Sequence, residues 1–322
     1  MKKWLFTIAA ALALAAPSGA AAASDARLLT KFQPVTAFDA SERFHPTAVD
    51  GFVADSTLEQ LTATNDWVVV DPAPTADTLP TGPGVWRLDE RYCSPFGGLE
   101  AESCYAAANP DAPSVVYGRV WRGSEKIVVQ YWLFYDDDFY SYLYPPTGDL
   151  FQAHEGDWEN VDVVLRATDE KPVAVGLSQH CTGERRSWDS TPRWQGHHPI
   201  VQVAAGSHAN YFDTGEHPIA AACIPPQVLG FLAQRGLPPP ADHVHGGGGA
   251  AGPADLGAQA TAVVRVGNVS PAWIRYPGFW GEIEVFHAPG VGTVPAGPAP
   301  VGPAFHAVWR DPLGTLATWP ES

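Results

Sequence analysis

The 322-residue chain carries 19 Lys and Arg against 35 Asp and Glu, which gives a formal net charge of −16 at pH 7. A chain this acidic lacks the basic footprint that nucleic-acid binding requires, and it cannot attach to anionic lipid by charge alone. Its acidity is compatible with divalent cations as partners. Gly and Pro, at 31 residues each, interrupt the sequence often, which favours short strands and loops over long helices.

The first 23 residues have the pattern of a secretory signal peptide. Two lysines precede an apolar stretch from Trp4 to Ala16, and small residues up to Ala23 offer cleavage sites. We predict that residues 1–23 are removed and that the remaining chain is secreted or periplasmic. No cysteine stands directly after the cleavage site, which argues against a lipid anchor, and no later apolar run is long enough to span a bilayer.

Short strands separated by turn signals dominate the rest of the chain. The predicted strands, rich in β-branched and aromatic residues, cover 67–70, 114–120, 126–135, 159–165, 173–177, 200–204, 261–266 and 281–286. Helical patterns occur within 46–61 and over 226–235, where Gly236 follows. This pattern predicts an all-β fold with minor helices, a two-sheet antiparallel β-sandwich forming a single domain over residues 24–322.

Three segments without a periodic pattern are predicted as long loops. They cover residues 140–153, 182–198 and 237–257. The last contains three consecutive prolines and four consecutive glycines, and we therefore predict that it is a mobile Gly/Pro-rich insertion.

The chain has four cysteines, Cys93, Cys104, Cys181 and Cys223. An even number of cysteines in an exported chain favours disulfides, and four cysteines allow three pairings. We expect Cys93–Cys104 and Cys181–Cys223, because each pair closes a surface segment. A zinc site is the alternative, although no two cysteines have the close spacing of zinc ligands.

The most informative motif is the sextet His-Glu-Gly-Asp-Trp-Glu that begins at His154. Side chains of a strand alternate between two faces, so Asp157 and Glu159 share a face with the aliphatic run that starts at Val161. Burying two carboxylates at the end of a strand face that continues into the core costs free energy unless a partner compensates their charge. A divalent cation is such a partner, and it also accepts an imidazole. A solvated strand entry with a half-buried Trp158 is the alternative.

Two further histidines lie next to predicted strand ends. His208 follows the strand 200–204, and His180 follows the strand 173–177. Loops at strand ends often carry function, so both are candidate catalytic residues; hydrogen bonds to loop carbonyls are the alternative. Among familiar catalytic motifs, the sequence has no His-Glu-x-x-His, no Gly-x-Ser-x-Gly and no phosphate-binding loop. Asp157 and Glu159 as paired carboxylates for sugar hydrolysis are a further, weaker alternative.

Aromatic side chains are frequent on the predicted loops. Tyr142 lies in the loop 140–153, while Trp188 and Trp194 lie in the loop 182–198. Aromatic residues beside a polar site stack on sugars or anchor in a membrane interface, whereas in other proteins they cover the core. We consider these three residues candidate ligand contacts.

Three motifs together resemble the vacuolar protein sorting sixty-two-related family. They are Tyr-Trp-Leu-Phe-Tyr from Tyr131, the sextet from His154, and Gly-Ser-His-Ala-Asn-Tyr-Phe from Gly206. Weaker similarities near both ends extend the resemblance over nearly the whole chain after the signal peptide. This extent implies one domain.

The central part is more distantly similar to the secreted necrosis-and-ethylene-inducing cytolysins, which are β-sandwiches with a divalent-cation site. Matching the motifs implies four cation ligands here, Asp137, His154, Asp157 and Glu159, with Asp137 located by its distance from the Trp of the preceding strand. Gly156 replaces the second His of the cytolysin motif, and Glu155 replaces its Arg.

Carboxylate ligands favour calcium or magnesium over zinc at such a site. Together these features predict a secreted, divalent-cation-dependent binding protein for a glycan or lipid headgroup. A metal-assisted secreted hydrolase, with a water activated by the cation, is one alternative. A cytolysin-like membrane-damaging protein is the other.

Overall fold

The computed structural model describes residues 19–97, 99–108, 113–142, 150–256 and 259–322. In this part of the chain the strands are β1 (Val35–Asp39), β2 (Ser56–Leu61), β3 (Trp67–Asp71), β4 (Trp86–Glu90), β5 (Val115–Arg122), β6 (Lys126–Ser141), β7 (Phe151–Arg166), β8 (Pro172–Gln179), β9 (Thr182–Ser187), β10 (Arg193–Trp194), β11 (His198–Val203), β12 (Asn210–Tyr211), β13 (Gly215–Pro218), β14 (Ala241–Val244), β15 (Gly247–Gly252), β16 (Gln259–Ala260), β17 (Ala262–Arg265), β18 (Glu284–Ala288) and β19 (Gly292–Gly297). The α-helices of the same residues are α1 (Gly19–Lys31), α2 (Val49–Asp55), α3 (Leu99–Ala108), α4 (Pro226–Arg235), α5 (Ala307–Arg310) and α6 (Pro312–Thr318).

The main sheet has the strand order β17-β5-β6-β7-β18-β19, and β8 and β9 extend from β7. At its centre β6 and β7, 16 residues each, pair antiparallel along their whole length. Two strands pair with the other edge of β7. β8 pairs with residues from Val161 onwards, and β18 pairs with residues up to Ala153. Residues 154–160, which contain the sextet, therefore face an interval between β8 and β18.

A second sheet, with the order β10-β11-β1-β15-β16, packs on one face of the main sheet. Tyr131, Val161 and Val201 belong to the buried cluster between the two sheets, which we call the inner core. Side chains of α1 join this core, because Leu28 and Leu29 are almost completely buried. The two sheets thus form a β-sandwich.

The opposite face of the main sheet is covered by a tryptophan-rich core. It is formed by side chains of β6 and β7 together with α2, α6 and the segment 273–280, and includes Trp132, Trp158 and Trp280. The face assignment made from alternation holds here, since Val161 and Val163 point to the inner core and Trp158 and Val164 to the tryptophan core. Both faces of the main sheet are therefore buried, which explains why β6 is apolar on both sides.

The predicted class, all-β with minor helices, is confirmed. The sheets are not purely antiparallel, however, because β1 pairs parallel with β11, β15 with β16, and β17 with β5. The partners β1 and β11, like β5 and β17, lie far apart in the chain, and local sequence gives no sign of such pairing. A three-stranded sheet, β3-β2-β4, and a β13-β14 hairpin accompany the two larger sheets.

Two of the predicted loops contain strands. The segment 182–198 includes β9 and β10, and the segment 237–257 includes β14 and β15, so the latter is not an insertion outside the fold. β15 pairs along β1 in the second sheet. Its glycines permit this contact, because a Cβ on Gly248 would collide with the backbone carbonyl of Asp39. In the segment 140–153, residues 143–149 lie outside the described residues.

Two disulfides connect the chain, Cys93–Cys104 and Cys181–Cys223, as predicted. The first joins α3 to the segment after β4, and the second joins the β8–β9 turn to the segment before α4. Over the described residues, no helix combines the length and apolarity that crossing a membrane requires.

Candidate functional site

Gly156 interrupts the alternation of side chains in the sextet. Its φ is +57°, a left-handed conformation that a residue with a Cβ rarely adopts. Regular alternation would put Asp157 on the face opposite to His154. In the structure, one ligand atom each of Asp138, His154 and Asp157 lie within 4.8 Å of one another. The change of direction at Gly156 is what brings the Asp157 and His154 side chains together.

The group formed by Asp138, His154 and Asp157 has the composition of a cation site. Asp138 and His154 are direct neighbours across β6 and β7, and His154 Nε2 lies 3.5 Å from Asp138 Oδ2. Both aspartates are less than a tenth exposed. His154 Nδ1 lies 2.8 Å from the carbonyl oxygen of Gly156, which holds the ring and leaves Nε2 directed to the carboxylates.

The electrostatics of this group raise the pKa values of Asp138 and His154. Burial raises the pKa of Asp138 to about 7, although His154 opposes the shift. Burial lowers the pKa of His154, but Asp138 and Asp157 outweigh it and the pKa is raised overall. In the absence of a cation the two groups thus retain protons that a bound divalent ion would displace.

The strand aspartate of this group is Asp138, whereas the resemblance assigned Asp137. Asp137 faces Glu155 across the two strands and is completely buried. In the pairing of β6 with β7, Asp138 is the residue that lies directly opposite His154. Of the four predicted ligands, the structure thus brings His154 and Asp157 together.

Glu159, the remaining predicted ligand, lies one step further along β7. Its carboxylate accepts hydrogen bonds from Ser178 Oγ and from Asn210 Nδ2, the latter at 3.3 Å. Burial raises its pKa well above the usual range, and the charge of Asp157 adds to this shift. Glu159 therefore borders the cation group without belonging to it.

His208 is held between two carboxylates. Its Nδ1 lies 3.1 Å from Asp157 Oδ2 and its Nε2 lies 3.4 Å from Glu42 Oε1. The ring stacks on Tyr135 with centroids 3.9 Å apart and is completely buried. Glu42 in turn accepts hydrogen bonds from the backbone N–H groups of Phe44 and Gly206, each at 2.7 Å. His208 consequently cannot reach a substrate, and its contacts orient Asp157.

His180, the other predicted catalytic histidine, does line an open cavity. Its Nε2 lies 2.7 Å from Asp242 Oδ2, and Asp242 is completely buried. Asp242 also accepts hydrogen bonds from Ser207 Oγ at 2.6 Å and Tyr211 Oη at 2.5 Å. Burial lowers the pKa of His180, but Asp242 outweighs it and raises that pKa to about 9.

The cavity beside the cation group has a volume of about 70 Å³. Asp138, His154 and His180 line it together with Tyr140, Tyr142, Gln152 and Glu284. We call it the cation cavity. Because roughly 10–15 Å³ accommodates one water molecule, this cavity has room for a hydrated ion or a small polar group.

Of the three aromatic candidates, Tyr142 lines the cation cavity and the other two lie elsewhere. Trp188 packs edge-on against Phe32 beside the inner core, with ring centroids 5.8 Å apart. Trp194 forms β10 at the margin of the second sheet, next to His198. Both tryptophans therefore cover the sandwich, which is the alternative that the sequence left open.

A second acidic cluster, formed by Glu90, Asp137 and Glu155, lies buried near the cation group. Glu155 accepts hydrogen bonds from Tyr105 Oη at 2.7 Å and from the backbone N–H of Glu282 at 2.9 Å. Both carboxylate oxygens of Glu90 are buried without a hydrogen-bond partner. Burial raises the pKa of Glu90 to about 9, and Glu155 adds to the shift. Local sequence gave no sign of this cluster, because its members come from three separate segments.

Replacement of Glu90 by Gln is expected to stabilise the protein at neutral pH. A carboxyl whose pKa is raised on folding contributes fully below its unfolded pKa of about 4.5, and that contribution is lost as pH rises through about 9. Each pH unit in this range changes the free energy of unfolding by about 1.4 kcal/mol. Urea unfolding should therefore show a gain of about 3 kcal/mol at pH 7 and no gain at pH 4.

The exposed Glu125 provides the matched control for this prediction. Glu125→Gln should leave the free energy of unfolding within about 0.5 kcal/mol of the wild type at both pH values. If Glu90→Gln and the wild type lose stability equally between pH 4 and pH 7, Glu90 is ionised in the folded protein and the prediction is wrong.

Comparison with known proteins finds similarity at the level of the fold. No family model and no curated protein matches the chain, so the resemblance to the vacuolar protein sorting-related family stays a prediction. Among solved structures, one described as a toxin fold for microbial attack and plant defense is 18% identical, with 61% of this chain and 71% of that chain covered at a TM-score of 0.37.

Two further similar structures belong to the same group. NLPPya in complex with mannosamine is 18% identical, with 59% of this chain and 68% of that chain covered at a TM-score of 0.35. Necrosis and Ethylene inducing Protein 2 from the causal agent of cocoa's Witches Broom disease is 19% identical, with 58% and 67% covered at a TM-score of 0.32. Two of the three are described as a toxin fold and as a necrosis- and ethylene-inducing protein, the group named by the more distant resemblance. At these TM-scores, the function has to be argued from this chain's own site.

Proposed function

We propose that this protein is a secreted, divalent-cation-dependent binding protein for a glycan or lipid headgroup. The observation that carries the proposal is the convergence of Asp138, His154 and Asp157, of which Asp138 and His154 line an open cavity. Two buried aspartates next to each other repel, and a divalent cation relieves this repulsion while it satisfies their oxygens.

The donor set favours calcium or magnesium. Both ions prefer oxygen ligands, and calcium takes six to eight of them. Two carboxylates and one imidazole occupy only part of such a coordination sphere. Water or the hydroxyl, carbonyl or phosphate oxygens of a ligand in the cation cavity would supply the other positions.

The walls of the cation cavity suit a polar ligand with an apolar edge. Tyr140 and Tyr142 contribute aromatic surface, with ring centroids 5.0 Å apart, and Gln152 and Glu284 contribute polar groups. Sugars combine ring C–H groups with hydroxyls, and tyrosine contacts both. His180 adds a hydrogen-bond donor at the same wall.

Titration of the purified protein with Ca²⁺ and Mg²⁺ tests the cation site. We expect saturable binding by calorimetry and a melting temperature that falls when a chelator is added, because binding to the folded state alone stabilises it. Asp138→Asn keeps the side-chain shape and removes one charge, so it should lower cation affinity at least about tenfold. Asp77→Asn, at an exposed position, should bind as the wild type does.

The ligand class is tested separately on a glycan array and on vesicles of defined headgroup composition, each with calcium and with chelator. Binding that needs calcium and is lost in Asp138→Asn supports the proposal. A cation titration without saturable binding, together with an unchanged melting temperature in excess chelator, would overturn it.

A metal-assisted hydrolase is the second candidate, and the placement of His180 favours it. An imidazole held by a buried carboxylate beside a cation has the geometry of a general base. The raised pKa of about 9 argues for the binding function instead, because the ring is then protonated at neutral pH and donates rather than accepts a proton. Turnover of any ester, phosphoester or glycoside that is lost in His180→Ala, while cation binding persists, would establish the enzyme.

Membrane damage is the remaining alternative from the sequence, and the similar structures described as toxin folds are the reason to test it. Release of a dye from vesicles that contain plant or fungal lipid extracts measures it directly. Calcium-dependent leakage by the wild type that is absent in Asp138→Asn would replace the binding proposal by a cytolytic one.

A further inference from the structure

A second cavity lies on the tryptophan-core side of the main sheet. Its volume is about 230 Å³, roughly three times that of the cation cavity. Trp132 of β6, Trp158 of β7 and Trp319, directly after α6, form its aromatic walls. We call it the tryptophan cavity. None of the proposed cation ligands lines it, and His180, at the β8–β9 turn, lines both cavities.

The aromatic walls are held in place by packing against neighbouring side chains and backbone. The Trp132 ring contacts His306 with centroids 5.2 Å apart, and the Trp158 ring stacks on Trp273 at 5.6 Å. Trp319 lies against the β8–β9 hairpin at Gly183, where a Cβ would come within 2.6 Å of the indole. Rigid aromatic surfaces lose little entropy when a ligand binds, which is the property of a preformed site.

The polar groups of the tryptophan cavity are neutral. Thr182 and Thr315 contribute hydroxyls, whereas the Ser178 hydroxyl at the cavity wall is already hydrogen-bonded to Glu159 and to the backbone N–H of Asn160. His306 Nε2 lies 2.8 Å from the carbonyl oxygen of Val301, so it donates to that oxygen and Nδ1 remains an acceptor. Burial lowers the pKa of His306, which keeps the ring uncharged. Except for His180 at the shared wall, none of the described residues that line this cavity has a charged side chain.

We propose that the tryptophan cavity is a binding site for one neutral sugar ring. Indole surfaces pack on the C–H groups of a pyranose, while hydroxyl and imidazole groups pair with its hydroxyls. Purely apolar ligands would leave the polar groups of the cavity unpaired, and charged ligands would lack a counter-charge. The volume is below the roughly 300–1,000 Å³ of sites for drug-sized molecules and fits a single ring. The proposal does not depend on a cation.

Neutral methyl glycosides of glucose, galactose and mannose are the probes. Binding is measured by saturation-transfer NMR and calorimetry in excess chelator, so that the cation site cannot contribute. We expect saturable binding of at least one glycoside with a Kd of about 1 mM or tighter, as for other ligands of this size. Thr315→Phe places a ring inside the cavity and should weaken this binding at least about tenfold.

Two matched variants separate the site from its surroundings. Ala317→Phe puts the same ring on an exposed position of the same helix, α6, and should bind as the wild type does. Asp138→Asn should also retain the sugar, because it alters only the cation site. If Thr315→Phe does not fold, Thr182→Phe at the cavity edge is used in its place, with near-ultraviolet circular dichroism as the folding check.

Three results would overturn the proposal. The first is the absence of saturable binding by the folded wild type in chelator. The second is equal affinity of the wild type and the cavity-filling variant. The third is sugar binding that requires calcium and disappears in Asp138→Asn, since the sugar would then occupy the cation cavity.

Discussion

Replacement of His208 by alanine is expected to lower the free energy of unfolding by roughly 3–5 kcal/mol, the cost of breaking a buried ion pair by removing one partner. Glu42 and Asp157 approach the ring from opposite sides, and the ring has no exposed surface. Without the imidazolium, the two buried carboxylates face each other with no positive charge between them. Urea unfolding in chelator at pH 6 measures the effect without a contribution from bound cation.

The pH range of this measurement follows from the pKa directions. Burial lowers the pKa of His208, but Glu42 and Asp157 outweigh it and raise it well above its usual value. Its contribution is therefore complete below about pH 6.5 and is lost as pH rises through the raised value. Burial raises the pKa of Glu42, yet His208 outweighs it, so this carboxylate contributes above about pH 4.5.

A double-mutant cycle with Glu42→Gln serves as the control. Because the second change removes one of the two uncompensated carboxylates, the double variant should recover part of the stability that His208→Ala loses. A loss below about 1 kcal/mol in His208→Ala would show that the ion pair is replaced by water, and the orienting role of His208 would then be wrong.

Gly156→Ala is expected to have a comparable effect on stability and a larger one on cation binding. A left-handed φ costs an alanine roughly 1–2 kcal/mol, and forcing a side chain into packed surroundings typically costs another 1–3 kcal/mol. The surroundings here are rigid, because the added Cβ would collide with the backbone carbonyl oxygen of Trp280. Any relief of this collision moves Asp157 relative to His154, and cation affinity should fall at least about tenfold.

Gly236 provides the matched control for this substitution. It has a similar φ, +64°, after α4, and a Cβ there would meet nothing within 4 Å. Gly236→Ala should therefore cost only the roughly 1–2 kcal/mol of the left-handed φ and leave cation affinity unchanged. Equal losses in both variants, measured by thermal unfolding and calorimetry, would mean that the contact with Trp280 does not constrain the strand.

Much of the main sheet could be predicted from local pattern. The runs that became β5, β6, β7 and β8 combine β-branched residues with alternation, and helix α4 covers the predicted residues before Gly236. The pairing of β1 with β11 and β15 could not be predicted in this way, since it joins segments far apart in the chain. Glycine-rich β15 looked like a flexible loop, although its glycines serve the close approach of two strands.

The candidate site is likewise predictable from the sequence only in part. The carboxylates and imidazole of the sextet could be predicted as a site from the sequence. Polar residues at the start of an apolar strand face are costly to bury unless a partner compensates them. Asp137 was predicted by matching a motif from Trp132, whereas the register of β6 against β7, which local sequence does not give, places Asp138 opposite His154. His208 and Glu42 come together only through tertiary packing, so no local sequence pattern predicts this pair.

The central place of β1 in the second sheet has a consequence for how the chain acquires its structure. Val35 pairs with Ile200, and Thr36 pairs with Ala251. Both strands that pair with β1 are therefore synthesised much later than β1 itself. Closing such long loops has an entropic cost before any contact offsets it, which makes pairing of this kind slow. The β6–β7 hairpin, whose partners are adjacent in sequence, can form first. We expect the nascent amino-terminal segment to stay unfolded until the ribosome has passed residue 252, and an unfolded segment is the form that a translocation channel can thread.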